Sequence, residues 1–319
     1  MKVAVVGAGV MGCATTWALS ARGADVTLFE QFDDLEHTRG SSHGRTRIVR
    51  LAYPEAFWVR MAQEALAGWR DLEAESGTKL LDLVGLVELA PDADLTTRAA
   101  LDECGVDYRL VREADGIALP EGWTALLQAE AGFVRSDLAR RAFLDVSGVP
   151  VRTGTRVDSL DELDADAVVV TAGPWVRDLV PDAPVRVTRE TVAYFRTERV
   201  YPSVVELNAE RGHAMFALFD PVHGLKAGAH HAGAEADPAD GGAPDPAIVE
   251  RIASWVRDRL PDADPHPVAA DACLYTTTAD ESFVCERRGR VVVGSACSGH
   301  GFKFAPAVGR ELAALAMAE

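Results

Sequence analysis

A short apolar run at residues 3–6 passes directly into Gly7, Gly9 and Gly12, and a helical pattern follows until Gly23. The segment DVTLFE then reads as a second strand closing at Glu30, eighteen residues beyond Gly12. Strand, glycine-rich turn, helix and strand within about thirty residues make a βαβ unit of the dinucleotide-binding type. Each part has a physical task. Gly7 permits the tight turn, Gly9 lets backbone approach a pyrophosphate, and Gly12 lets helix and strand pack closely. The helix N-terminus offers free N–H groups to phosphate, and Glu30 can accept hydrogen bonds from a ribose. The glycines break the apolar run and a polar helix pattern follows, so the N-terminus is expected to belong to the fold and not to a cleaved leader.

Composition narrows the partners. The 319 residues suffice for about two domains. A net charge of −17 disfavours phosphate backbones and anionic membrane surfaces, so neither nucleic acid nor membrane is an expected partner. Five cysteines (Cys13, Cys104, Cys273, Cys285 and Cys297) are widely spaced and form no CxxC pair. That argues against a disulfide framework or a zinc site, so no metal is expected, and a reducing cytoplasm fits. Only four lysines occur, Lys2, Lys79, Lys226 and Lys303, among 32 basic residues. A lysine kept in so arginine-rich a chain draws attention to sites that need a compact, titratable ammonium.

The pattern then alternates. A Gly/Ser/His loop at 38–53 precedes an amphipathic helix at about 57–75 carrying Trp58 and Trp69, read with Trp17 as core residues. Short strands follow to about 127, then a helix capped by Ser136, then ADAVVVTAG, a buried strand ending in a small-residue turn. Strands return over 184–230, a helix over 246–260, and finally GRVVVGSA, a glycine turn and a last helix from about Ala305. The fold class expected is α/β (α+β overall). Segments 1–80, 131–182 and 269–319 would build the dinucleotide domain, and 81–130 and 183–268 an interleaved mixed-sheet substrate domain.

Four stretches concentrate chemistry: SSHGRTRIVR with Arg45, Arg47 and Arg50; HGLKAGAHH with Lys226, His230 and His231; CLYTTTADESF from Cys273; and SGHGFKF from Ser298. Strand alternation is expected to put His230, not His231, on the face of Lys226. Arg45 is read as solvated, and Cys13, Cys104, Cys285 and Cys297 as packing residues. In their order and spacing along nearly the whole chain, these motifs resemble the monomeric sarcosine oxidase and N-methyltryptophan oxidase family. That family joins a glutathione-reductase-like FAD domain to a smaller mixed-sheet domain and oxidises secondary amines of amino acids with oxygen.

The resemblance implies roles for particular residues. Cys273 matches the cysteine that holds FAD through a thioether, and Lys226 the lysine that assists oxygen reduction. Arg47, His230, Tyr275 and His300 match residues at the reacting centre. Arg50 and Lys303 match the pair that clamps the substrate carboxylate. Gly7, Gly9, Gly12 and Glu30 match the ADP site, Val157 a backbone contact to adenine, and Ala172 and Gly173 the turn near the pyrophosphate. His43, Gly44, Thr46, Gly299, Gly301, Phe302 and Lys303 complete the implied FAD contacts. The partners implied are a small amino acid and O2, acting on a monomer.

Departures accompany the resemblance: the chain is shorter than typical members, lacks their tail after the last helix, and has a trimmed loop between Leu160 and Ala167. Met215, Phe216 and Phe219 stand where a tyrosine often lines the pocket.

Elementary chemistry agrees with these roles. An arginine and a lysine give a carboxylate charge-assisted hydrogen bonds. Nearby cations favour the neutral amine that can yield hydride, and a fixed ammonium stabilises charge developing on oxygen. The last helix points its positive end at the same region. The expected activity is an FAD-dependent oxidase of N-methyl or cyclic α-amino acids producing H2O2. Two readings compete: a dehydrogenase or imine-forming biosynthetic enzyme using another electron acceptor, and a degenerate flavin-binding protein without catalysis.

Overall fold

The computed structural model describes residues 1–91, 95–207 and 213–318. Parts of the strand regions expected at 80–127 and 184–230, namely 92–94 and 208–212, lie outside the described residues. The first sheet has six strands in the order Val284–Arg288, Val291–Ser295, Ala167–Val170, Lys2–Val6, Asp25–Phe29 and Val151–Arg152. All neighbours run parallel except the edge hairpin Val284–Arg288. Its central strands are continuous apolar runs because both faces are covered. Alternation divides them: Val3, Val5 and Val169 face the helices Val10–Ser20 and Ala305–Met317, while Ala4, Val6 and Val170 face Val176 and Val180.

The second sheet has nine strands, and its longest, Arg186–Arg196, pairs antiparallel with Gly224–Ala229 and with Ala269–Thr277. The helix Pro246–Arg259 covers one face, setting Ile252, Trp255 and Val256 against Ala193, Phe195, Leu225 and Ala227. The alternate residues Val192, Tyr194 and Lys226 therefore turn to the opposite face, towards the first sheet. Ala269–Thr277 falls in the segment 269–319 expected in the dinucleotide domain, yet it hydrogen-bonds within the second sheet from Arg186↔Thr277 to Tyr194↔Ala269. Strand pairing, which the motif does not encode, decides where that segment lies. A three-stranded sheet of Thr46–Val49, Gly132–Arg135 and Leu81–Asp82 lies off both.

Ser136 is not the cap of its helix. The helix Ser136–Ser147 is preceded by Arg135, and the Ser136 hydroxyl donates to Gly44 O at 3.0 Å, tying the helix start to the glycine loop. Trp17 and Trp69 are buried as expected, but Trp58 meets Phe283 and His300 edge-on, with centroids 4.8 and 5.1 Å away, at a cavity wall. No described helix is long and apolar enough to cross a membrane.

The first and last helices touch through Gly309, where a Cβ would stand 2.6 Å from the Ala14 carbonyl carbon and 2.7 Å from its oxygen. Gly309→Val should lower the unfolding free energy by about 1–3 kcal/mol in urea titration, through overpacking. An unchanged midpoint and slope would show that the two helices separate freely.

Candidate active site

One cavity of about 690 Å3 lies between the two large sheets, and every site residue expected from the sequence except Gly12 lines it. Gly12 acts one layer back. A Cβ there would be 1.9 Å from Gly7 O, so it sets the helix-to-strand contact. Gly7 has φ +102°, and a Cβ on it would meet Thr171 O at 2.6 Å. At this end Glu30 is 5% exposed and accepts from Ala8 N at 3.0 Å and Phe32 N at 3.1 Å. Val10 N, in the first helical turn, donates to Ser42 Oγ at 3.0 Å. Val157, Ala172 and Gly173 close the same end, and Gly173 (φ +54°) leaves open space where a side chain would point.

The far end gathers cations. Lys226 is 5% exposed and donates from Nζ to Thr46 O at 3.3 Å. Burial, aided by Arg47, lowers its pKa to about 7. Arg47 is held by the carbonyls of Thr46, Ser41 and His43, with its guanidinium 5.5 Å from the Phe302 ring centroid. His43 lies beside them, pushed down to about 4 by burial and these cations, and its Nε2 is buried without a hydrogen-bond partner among the described residues. Cys273 is pushed up to about 11 by burial, which outweighs the opposing pull of Arg47 and Lys226. Cys297, expected to be packing, also lines the cavity. Arg45 is not merely solvated: it makes two bonds to Asp220, at 2.8 and 3.2 Å.

Arg50 and Lys303 converge on Tyr53. The Arg50 guanidinium lies 4.6 Å from the Tyr53 ring centroid, and Lys303 Nζ donates to the Tyr53 hydroxyl and to His300 O, each at 2.8 Å. Burial and Arg50 hold the Lys303 pKa well below its usual range. Behind Arg50 stands Glu88, fully buried, accepting from Arg50 Nη1 at 3.1 Å and from the Thr97 hydroxyl at 2.7 Å.

Strand alternation fails at the His230–His231 pair. The strand Gly224–Ala229 has ended, and His231 adopts φ 54°, so both histidines line the cavity with ring centroids 4.1 Å apart. Among the described residues the non-glycine positions with positive φ are His231, Glu281 and Ser298. His231 Nε2 and Glu281 Oε1 are 3.5 Å apart. His230, His231 and Glu281 bring potential metal-ligand atoms within 4.8 Å of one another, although the sequence suggested no metal. Backbone strain of this kind gathers at functional sites. Gly299 must stay a glycine, because a Cβ there would be 2.4 Å from Tyr275 and 2.5 Å from His230. Of the pocket residues expected at 215–219, Met215 and Phe216 line the cavity, whereas Phe219 stacks on Phe133 at 5.4 Å.

Tyr53, Glu88, Trp58 and His231 escaped the sequence reading as site residues. Tyr53 has a signal, lying three residues beyond Arg50. Glu88 has a fainter one, an acid inside the apolar run GLVELA.

A parallel sheet ending in a glycine turn, an acid set at the strand end, and a cationic chamber under a second sheet define a dinucleotide-binding architecture with an enclosed ligand cavity. The comparisons agree. The model of the DAO family, FAD dependent oxidoreductase, matches residues 2–315. Peroxisomal sarcosine oxidase of Homo sapiens is 33% identical, the match covering 98% of this chain and 91% of that protein. Monomeric sarcosine oxidase of Bacillus sp. (strain B-0618) is 29% identical over 99% of this chain and 92% of the relative. Among solved structures NikD, described as an unusual amino acid oxidase essential for nikkomycin biosynthesis, has a TM-score of 0.86 at 26% identity, covering 99% of this chain and 93% of that one. L-proline dehydrogenase from P. horikoshii shares the fold, with a TM-score of 0.85 at 19% identity, covering 99% and 93% of the two chains. The chain belongs to the DAO family of FAD-dependent oxidoreductases.

The cavity residues fit FAD. Gly7 and Gly173 leave backbone bare where a pyrophosphate approaches, Glu30 stands at the strand end, and His43 Nε2 awaits a partner.

The lowered pKa of Lys226 has a measurable sign. Between pH about 7 and 10.5 the folded amine is neutral while the unfolded one still binds a proton. The unfolded state then binds more protons, so stability rises with pH across that window. In protein prepared without flavin, the unfolding free energy of wild type minus that of Lys226→Met should rise through the window, by at most about 1.4 kcal/mol per pH unit. A flat difference would mean that the ammonium is solvated.

Proposed function

We propose that the protein oxidises secondary α-amino acids, N-methyl or cyclic, at the carbon next to nitrogen, with O2 as electron acceptor. The observation that carries this reading is the meeting of Arg50, Lys303, Lys226 and Cys273 around one cavity from four separate chain segments. FAD held there would supply the two-electron redox chemistry between substrate and oxygen.

The chain's own residues do the rest. Arg50 and Lys303 bind the substrate carboxylate by charge-assisted hydrogen bonds. Burial and Arg50 make Lys303 reluctant to hold its proton, and an entering carboxylate restores it. Anchoring one end fixes the orientation of the reacting C–H bond. His230 and His300 are both held neutral, His300 pushed down to about 3, so neither adds a cation beside the substrate nitrogen. Arg47 and Lys226 favour the neutral amine by like-charge repulsion, and Lys226 can carry a proton at neutral pH to stabilise charge developing on oxygen. Tyr275 and Phe302 wall the chamber and exclude water. The reaction balances as substrate plus O2 giving imine plus H2O2. Water then cleaves an N-methylene imine to formaldehyde and the free amino acid.

Gly7, Gly9, Glu30 and Val157 would hold the adenosine end of FAD, Ala172 and Gly173 its pyrophosphate, and His43, Gly44, Thr46, Gly299 and Gly301 its ring system, with Cys273 as the residue that would carry it covalently. The five cysteines form no disulfide among the described residues, the state a reducing cytoplasm maintains, and the protein acts there as a monomer.

Anaerobic addition of sarcosine, N-methyltryptophan, proline and pipecolate should bleach the flavin band with at least one of them, and air should restore it with one H2O2 per turnover. Bleaching without peroxide would point to a different electron acceptor. No bleaching with any of the four would overturn the reading. After acid precipitation the yellow colour should stay with the protein, and in Cys273→Ala it should move to the supernatant. Colour in the wild-type supernatant would rule out the covalent link.

A further inference from the structure

Glu88 is a carboxylate in an unfavourable place. It lies in the strand Leu86–Pro91 between Val87 and Leu89, with no solvent exposure. Burial raises its pKa against the opposing pull of Arg50 and Thr97. Against that, both oxygens act as acceptors, Oε2 from the Arg50 guanidinium and Oε1 from the Thr97 hydroxyl, and both bonds favour the ionised carboxylate. A buried acid is costly unless a cation compensates it, and here that cation is half of the carboxylate clamp. Arg50 is thus held on two sides, by Glu88 at one nitrogen and by the Tyr53 ring beneath it.

We propose that Glu88 sets the charge of the Arg50–Lys303 clamp so that the pocket accepts substrates with one carboxylate and discriminates against those with two. The inference rests on reading Arg50 and Lys303 as the clamp. Once an entering carboxylate restores the Lys303 proton, two cations and one anion leave a charge of +1 on the clamp. One bound carboxylate neutralises it, whereas a second leaves a buried negative charge without a partner. Without Glu88 the same two cations would suit a dicarboxylate. Glu88 does not line the cavity, so it acts through Arg50 as a positioning and charge-setting residue, while Thr97 reaches both Glu88 and the cavity wall.

The test uses the flavin-loaded enzyme and two ligands of the same shape, isovalerate and malonate, in which methyl groups replace the oxygens of one carboxylate. Each is titrated at constant ionic strength, and the shift of the visible flavin spectrum gives its Kd. Wild type should bind isovalerate more tightly than malonate. Glu88→Gln keeps an oxygen for Arg50 but removes the charge, and should move the Kd ratio towards malonate at least tenfold. Glu88→Asp keeps the charge and should retain the wild-type preference.

Tighter binding of malonate by wild type overturns the proposal, and this result needs no variant to fold. An unchanged ratio in Glu88→Gln also overturns it, as does an equal shift in Glu88→Asp, since either would make the role one of shape. If neither ligand perturbs the wild-type spectrum, the clamp reading itself fails and the inference with it. A response with the wrong ratio faults Glu88 alone.

Discussion

Lys226 and Lys303 bury their amines inside a chain of net charge −17, and neither meets a carboxylate among the described residues. Lys226 is held by the carbonyl of Thr46, and Lys303 by Tyr53 and the carbonyl of His300. Backbone and hydroxyl oxygens satisfy the hydrogen-bonding capacity of an ammonium but only part of its charge. Each amine is therefore pushed towards its neutral form by burial. A cavity of this kind favours anions and electron-rich groups. On the function proposed above, a substrate carboxylate at one point and negative charge developing on oxygen at another would draw protons back onto these amines and be stabilised by them.

Two sheets make this burial possible. Lys226 lies directly opposite Tyr194 and Leu218 in the second sheet, and its neighbours Leu225 and Ala227 are committed to the helix-covered core. A period of two then leaves the ammonium no direction but the cavity. Lys303 is placed differently. It sits in the tight turn Gly301–Phe304 before the last helix, and Trp69 Nε1 donates to its carbonyl at 2.8 Å. The turn carrying Lys303 runs directly into the last helix, which Gly309 packs against the first.

The sequence is most legible where function needs a backbone shape. Gly7 takes positive φ, and Gly9, Gly12 and Glu30 stand where a strand–turn–helix demands them, so the spacing read in that context finds them, whereas Gly173, also at positive φ, is reached through the resemblance. Motif resemblance located Lys226, Cys273, Arg50 and Lys303 but not what surrounds them. Glu88 was missed because its partner lies 38 positions earlier in the chain, and pairing at that range has no local signature. His231 was put on the wrong face because the alternation rule was carried past the strand end, into a residue at φ 54°. Ala269–Thr277 was misplaced for a related reason. Its chemistry faces the cofactor cavity while its hydrogen bonds belong to the other sheet.

The same division of labour separates reaction from specificity. The carboxylate end of the cavity is polar and rigid: Arg50 is clamped between Glu88 and the Tyr53 ring, and Lys303 has two acceptors 2.8 Å away. Part of the opposite wall is apolar, with Val192, Val205, Met215, Phe216 and Leu218 drawn from adjoining strands of the second sheet. A ligand gains little orientation from such a wall, since apolar contact follows area and has no direction. Orientation must therefore come from the charged end, and the wall selects only by volume. Substitutions among these strand residues should exchange one substrate side chain for another while leaving the reacting C–H bond where the clamp puts it.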